Sequence, residues 1–448
     1  MVVSCSFVEL TAFVIRHRAD PSVLRLLYEQ TTINEQQTTI LSMLIRRRDF
    51  LKTGSLATAS LLLPKFLKAY ETPGMLPPKG KTLVVLQLSG GNDGLNTVVP
   101  VRNDIYYKER PRLAIKREEA LSLGSEAGLH PTLTAFKSLW DNGEMAILNS
   151  VGYPNPDRSH FRSMDIWHSA SPADEYWQTG WLGRYLDAQC SGSASPAGGS
   201  CSSRALEIDD TLSLVLKGDK VKGLAMQDVQ KLYNSARGPY FSAYSNAHGP
   251  VVDDDAPIDY LYKTMAETLS SADYLFEQSR KKPSGTTYPN TGLGKNLKTI
   301  ASLILADTGT AIYYVSLGSF DTHVMQEGQQ KRLFKEMNDA LEAFAKDMKT
   351  NGKWNDVLVA TFSEFGRRVA QNASGGTDHG TANQMFFMGG GLKQKGLLND
   401  LPDLTDLDEG DLKFKVDFRQ VYATLLDNWL GADSKAILGE KFEALKFV

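Results

Sequence analysis

The chain has 448 residues, 42% hydrophobic and 23% charged, which is ordinary for a folded protein and gives room for one large α/β domain or two smaller ones. Its formal net charge of −3 excludes the bulk attraction on which nucleic-acid binders rely, so no nucleic acid is expected as a partner.

Near the N-terminus, Arg46-Arg47-Arg48-Asp49-Phe50-Leu51-Lys52 precedes a mildly apolar run from Leu56 to Leu63. Twin arginines followed by Phe-Leu-Lys are similar to the bacterial twin-arginine export signal, so the export machinery is an expected partner and the periplasm or exterior the expected destination. The apolar run is too short for a bilayer span, which needs about 20 residues, and Thr58 and Ser60 dilute it, so no stable membrane span is expected. Met43 stands just before the arginines. The expected organisation is an over-extended segment at 1–42, a signal at 43–70, a Pro/Gly-rich linker at 71–80 and one domain over 81–448 with a loop-rich insertion at about 186–256.

Thr82 to Leu88 is a short apolar run suited to a buried strand, and it ends in Ser89-Gly90-Gly91-Asn92-Asp93-Gly94. Glycines let this turn approach a ligand closely, and Asp93 is a candidate cation ligand there. Leu133 to Leu139 reads as a helix and Glu144 to Val151 as a second strand. Pro154, Asp157 and Ser159 then start a helix that runs through Trp167. A helix N-terminus favours an anion, so Ser159 is a candidate nucleophile or phosphate holder as well as a simple cap.

Cys190 and Cys201 flank a loop of Ser, Gly, Ala and Pro, and in an exported chain they are expected to pair. Short strands are expected at Arg204 to Ile208 and Ser213 to Leu216. Helical patterns cover Pro257 to Lys282, Asn296 to Ala306 and Glu327 to Met348. Buried strands are expected at Ala311 to Leu317, Asp356 to Phe362 and Asn383 to Met388, and Asp417 caps a last helix. Strands alternating with helices imply an α/β fold with a mostly parallel central sheet and helices on both faces.

The stretch from Leu317 to Met388 carries the chemistry. Asp321 and His323 are two apart after a strand, and in extended backbone they point the same way, so both can reach one ion. Glu364 follows the next strand, and His379 lies in a Gly-rich turn before another. Carboxylates and imidazoles without a cysteine cluster suit a divalent metal: zinc first, then manganese, magnesium or calcium. Arg367 is a candidate fork for an anionic group, or a simple partner for Glu364. Asp378 is placed to orient His379.

Taken together, Gly91-Asn92-Asp93-Gly94-Leu95-Asn96, Arg158-Ser159-His160-Phe161, Phe320-Asp321-Thr322-His323, Ser363-Glu364-Phe365-Gly366-Arg367, Asp378-His379-Gly380 and Asp417-Phe418-Arg419-Gln420-Val421-Tyr422 resemble the bacterial "domain of unknown function 1501" family over nearly all of 80–430. That resemblance implies the three-layer fold of the alkaline phosphatase/sulfatase superfamily, whose members hydrolyse phosphate or sulfate esters with divalent metals and a nucleophile at a helix N-terminus. It implies Ser159 as the nucleophile, with His160 or Arg367 contacting the anion. Asp93, Asp321, His323, Glu364 and His379 would be the metal residues. Glu364 stands where an Asp-His pair is usual and Phe365 takes the histidine's place, with His160 a substitute. The expected substrate is a small anionic ester. The alternative is an exported binding or assembly protein that keeps the fold without catalysis.

Overall fold

Every residue of Thr82–Leu88 is buried, as a central strand covered on both faces requires. A computed structural model describes residues 80–190, 201–238 and 257–448, without the side chains of 257–267 and 269. The expected export signal at 43–70, the segment at 1–42 before it and the expected linker before Gly80 lie outside the described residues.

Strands follow in chain order as β1 (Thr82–Leu88), β2 (Val98–Val99), β3 (Leu121–Ser122), β4 (Gly128–Leu129), β5 (Met145–Gly152), β6 (Ala205–Glu207), β7 (Leu224–Ala225), β8 (Ile312–Leu317), β9 (Val357–Phe362), β10 (Asn383–Met388), β11 (Gly396–Leu397), β12 (Leu407–Asp408), β13 (Asp411–Leu412) and β14 (Val416–Asp417). Among the described residues the main sheet has nine strands in the order β11-β5-β10-β9-β1-β8-β6-β7, with β14 also on β5. β2, β3 and β4 form a small separate sheet, and β12 with β13 a hairpin.

Pairing is parallel throughout the main sheet except at β10, which runs antiparallel to both β5 and β9. That reversal decides where the functional loops go. β1, β5, β8 and β9 share one direction, so the loops after Leu88, Gly152, Leu317 and Phe362 leave at the same edge. β10 runs the other way, so the loop before Asn383 arrives at that edge too.

Alternate side chains of the strands cover opposite faces. On one face Leu83, Val85, Leu148, Ala360, Phe362 and Phe387 join a core that includes Trp167, Trp181 and Phe418. Trp167, from the helix His160–Ser169, stacks on Phe362 with ring centroids 5.2 Å apart. On the other face Phe386 meets Phe136, from the helix Thr134–Asp141, edge to face at 5.5 Å. Each fully buried aliphatic or aromatic side chain of these strands contributes roughly 1.5–3 kcal/mol. The α/β architecture with helices on both faces of a mostly parallel sheet is therefore as expected.

Two local readings change. Ser213 to Leu216 is not a strand but a 3-10 turn over Leu214–Leu216. Asp417 does cap Phe418–Thr424, with a capping box to Gln420, but a further short helix, Ser434–Leu438, follows. The Cys190–Cys201 disulfide is formed.

Candidate metal centre

Two glycines let the loops meet. A Cβ on Gly90 would lie 2.4 Å from the Asp321 backbone nitrogen, and one on Gly91 2.3 Å from the Phe365 ring; both glycines have positive φ. Ser319 (φ 77°) and Met325 (φ 45°) bracket the Asp321–His323 turn in the left-handed region, at a cost on the order of 1–3 kcal/mol each. An antiparallel bridge between Arg367 and His379 draws in the third loop.

His160, Asp321 and His379 come together with ligand atoms all within 4.8 Å of one another. His323 joins them: its Nε2 is 2.9 Å from His379 Nε2 and 3.0 Å from Asp321 Oδ1. His379 Nε2 is 3.1 Å from the same oxygen. His160 Nε2 lies 3.5 Å from Asp321 Oδ2 and is buried without a hydrogen-bond partner.

The other nitrogen of each ring is committed. His379 Nδ1 donates to the Arg158 carbonyl at 2.9 Å, His323 Nδ1 to Asp378 at 3.2 Å, and His160 Nδ1 to Glu364 Oε1 at 2.9 Å. These partners accept and do not donate, so each neutral ring carries its proton on Nδ1 and turns a bare Nε2 toward Asp321. Bare nitrogens and a carboxylate facing one another repel unless positive charge lies among them. Added protons or a metal cation must supply it. Three imidazoles and one carboxylate are a donor set that suits zinc, and the unpartnered His160 Nε2 is the kind of atom a metal would satisfy, so these residues fit a divalent ion.

Partial burial would raise the Asp321 carboxyl, but the Arg367 guanidinium outweighs it and holds it at about 2. The hydrogen bond to Glu364 raises His160, against the opposing effect of burial. Asp378 is held below the usual carboxylate range, first by Asn372 and then by His323.

Several expected roles move. Arg367 does not face a ligand; it is 2% exposed. Its Nε donates to Gly91 O at 2.6 Å and Nη1 to Thr377 O at 2.9 Å. Nη2 reaches the carbonyls of Gly90 and Phe320 and, at 2.7 Å, Asp321 Oδ1. It is a clamp that ties the loops together and aims Asp321, and its charge is spent there. Asp93 is buried against Arg110, whose Nη1 donates to Oδ2 at 2.6 Å, and Gln326 donates to the same oxygen. Asp93 therefore stands apart from the imidazole cluster. Glu364, fully buried, accepts through Oε1 from His160 and from the Gly90 backbone at 2.7 Å, so it orients the His160 ring, and its Oε2 is buried without a partner. Asp378 orients His323 instead of His379. His160 stands in the cluster, the place of its expected substitute role, and not apart from it on an anion.

Ser159 is the N-cap residue of His160–Ser169, but its side chain makes no cap hydrogen bond and is exposed. Its hydroxyl is thus not spent on the helix. Nothing near Arg110 and Gln326 in sequence marks them; they reach Asp93 across 17 and 233 residues.

The chain belongs to the family described as "Protein of unknown function (DUF1501)", whose model matches residues 145–440. No curated relative matches the sequence. Among solved structures, the chain is similar to the lipoteichoic acid synthase LtaP from Listeria monocytogenes, at 12% identity over 85% of this chain and 80% of that one, with a TM-score of 0.36. It is also similar to a protein in the alkaline phosphatase superfamily from Vibrio parahaemolyticus (12% identity, 88% and 76% covered, TM-score 0.35) and to the PsFucS1 sulfatase from Pseudoalteromonas sp. (12%, 89% and 73%, 0.34).

Proposed function

We propose that this chain is a metal-dependent hydrolase of phosphate or sulfate esters, with His160, His323, His379 and Asp321 holding one divalent ion, zinc by preference. The observation that carries the reading is the convergence of three bare Nε2 atoms on one carboxylate, each ring having committed its Nδ1 elsewhere. Such an ion supplies a Lewis acid that draws charge from the ester's oxygens. Arg367 holds Asp321 ionised and aimed, and Glu364 and Asp378 fix the rings of His160 and His323.

Ser159 supplies the attacking hydroxyl. Its oxygen forms a bond to phosphorus or sulfur while the ester's alcohol leaves, and water then releases the seryl ester. Its exposed position at the start of a ten-residue helix supports this role, since the positive end of the helix favours the anion, although the Asp157 carboxylate takes the Ser159 N–H at 2.6 Å. Export by the twin-arginine machinery to the periplasm or beyond is part of the proposal, and the Cys190–Cys201 disulfide, a bond of oxidising compartments, supports it.

The test is turnover of aryl phosphates and aryl sulfates by the wild type beside Ser159→Ala and Asp321→Ala. Turnover abolished by both changes supports the proposal. A second reading, an ion-stabilised binding protein, is favoured by the burial of Arg367, whose guanidinium is taken up by loop carbonyls and Asp321 and is not free for a substrate. Metal binding without turnover of either ester class, and with Ser159→Ala indistinguishable from wild type, selects it.

A further inference from the structure

With Arg367 spent, the charge that reads an anion has to come from elsewhere, and its sequence neighbour offers it. Arg368 and Arg158 are 37% and 38% exposed, and both pair with the fully buried carboxylate of Asp411. Arg158 reaches Asp411 Oδ2 through Nη2; Arg368 places Nε 3.6 Å from Oδ1. Two guanidiniums meet at one buried carboxylate, with Asp408 near Asp411 and Asp378 near Arg368. Not every donor is used up: Arg368 turns only Nε toward Asp411.

The pair belongs to the loops of the imidazole cluster. Arg158 lends its carbonyl to His379 and precedes Ser159 and His160; the Arg368 backbone N–H donates to the Asp378 carbonyl at 3.0 Å. Asp411 comes from the β12–β13 hairpin, turned by Glu409 and Gly410, both at positive φ. The hairpin is tied down beside the cluster, since Thr381, two residues past His379, donates its hydroxyl to Leu412 O at 2.5 Å. Burial pushes the Asp411 carboxyl up, and the Arg158 guanidinium opposes that shift. Two fork-shaped guanidiniums held by a shared carboxylate are suited to the oxygens of a tetrahedral anion.

We propose that Arg158 and Arg368, positioned by Asp411, form the oxyanion-recognition pair of this site and bind the phosphate or sulfate group of its substrate. This rests on the hydrolase reading for the word substrate alone; anion binding is measurable without turnover. The experiment is calorimetric titration of the full chain with inorganic phosphate and, separately, sulfate, for wild type, Arg158→Gln, Arg368→Gln and Arg158→Lys, with metal content and a thermal melt recorded for each. Each Gln change should weaken the bound anion about tenfold or more at unchanged metal content, with Arg158→Lys in between, because it keeps the charge and loses the fork. Arg368→Gln, the more distant partner of Asp411, keeps the test alive if Arg158→Gln does not fold. Wild type that binds neither anion, or folded Gln variants with undiminished affinity, overturns the proposal and leaves the trio as a hairpin anchor. Absence of turnover beside intact, arginine-dependent anion binding would sink the hydrolase reading and leave this one standing.

Discussion

His323 and His379 face each other Nε2 to Nε2 at 2.9 Å, while their Nδ1 atoms donate to Asp378 and to the Arg158 carbonyl. Two neutral rings so tethered present lone pair to lone pair. The contact makes sense around a cation, and it ties together loops 56 residues apart in sequence.

The Asp378–His323 bond gives the first prediction. Replacing Asp378 with Ala should leave the fold intact, since Asp378 is exposed, yet lower metal affinity on the order of 10–100-fold by freeing the His323 ring. Competition with a chromogenic chelator measures it. Unchanged affinity would mean that His323 is not a ligand.

Arg367 serves the loops rather than a substrate. Arg367→Ala strands buried carbonyls of Gly90, Gly91, Phe320 and Thr377, and should cost about 3–5 kcal/mol in a urea melt. Lysine should not rescue it, because a point charge cannot span those acceptors.

Asp93 should prove structural. Asp93→Asn is expected to leave metal content unchanged while lowering stability, since Arg110, itself fully buried, loses its counter-charge. Replacing both partners by apolar residues of similar size should be milder than removing Arg110 alone, which a double-mutant cycle reads directly. Loss of metal in Asp93→Asn would return Asp93 to the site.

Much of the fold was legible because burial on both faces writes itself into a strand as a continuous apolar run. Thr82–Leu88 and Asn383–Met388 have the predicted ends. The direction of β10 was not read, although a signal existed: the stretch between Phe362 and Asn383 forms no helix, and a parallel neighbour would need a crossover. Of the site, Asp321, His323 and His379 were legible from their spacing after or before strands. The roles of Glu364, Arg367 and Asp93 were not, because a charged side chain's partner is set by tertiary contact. Gly91 O lies 276 residues from Arg367, and no local pattern encodes that pairing.

Buried Glu207 supplies a pH prediction away from the site. Burial raises its carboxyl from 4.5 to about 7, against hydrogen bonds from Ser213. The folded state therefore prefers the protonated form. The stability this provides is fully present below about pH 4.5 and is lost as pH rises through about 7. Glu207→Gln should remove that slope, a difference from wild type on the order of 3 kcal/mol between the two limits. Parallel stability curves for the two proteins would contradict it.

Whether an ion joins the three rings is decided by elemental analysis of the purified full chain beside His160→Ala, Asp321→Ala and His379→Ala. About one equivalent of a divalent metal, zinc foremost, is expected in the wild type and should be lost in all three folded variants. A well-folded wild type that holds no metal, even after zinc or manganese is added back, would contradict that expectation and leave shared protons as the charge among the three rings.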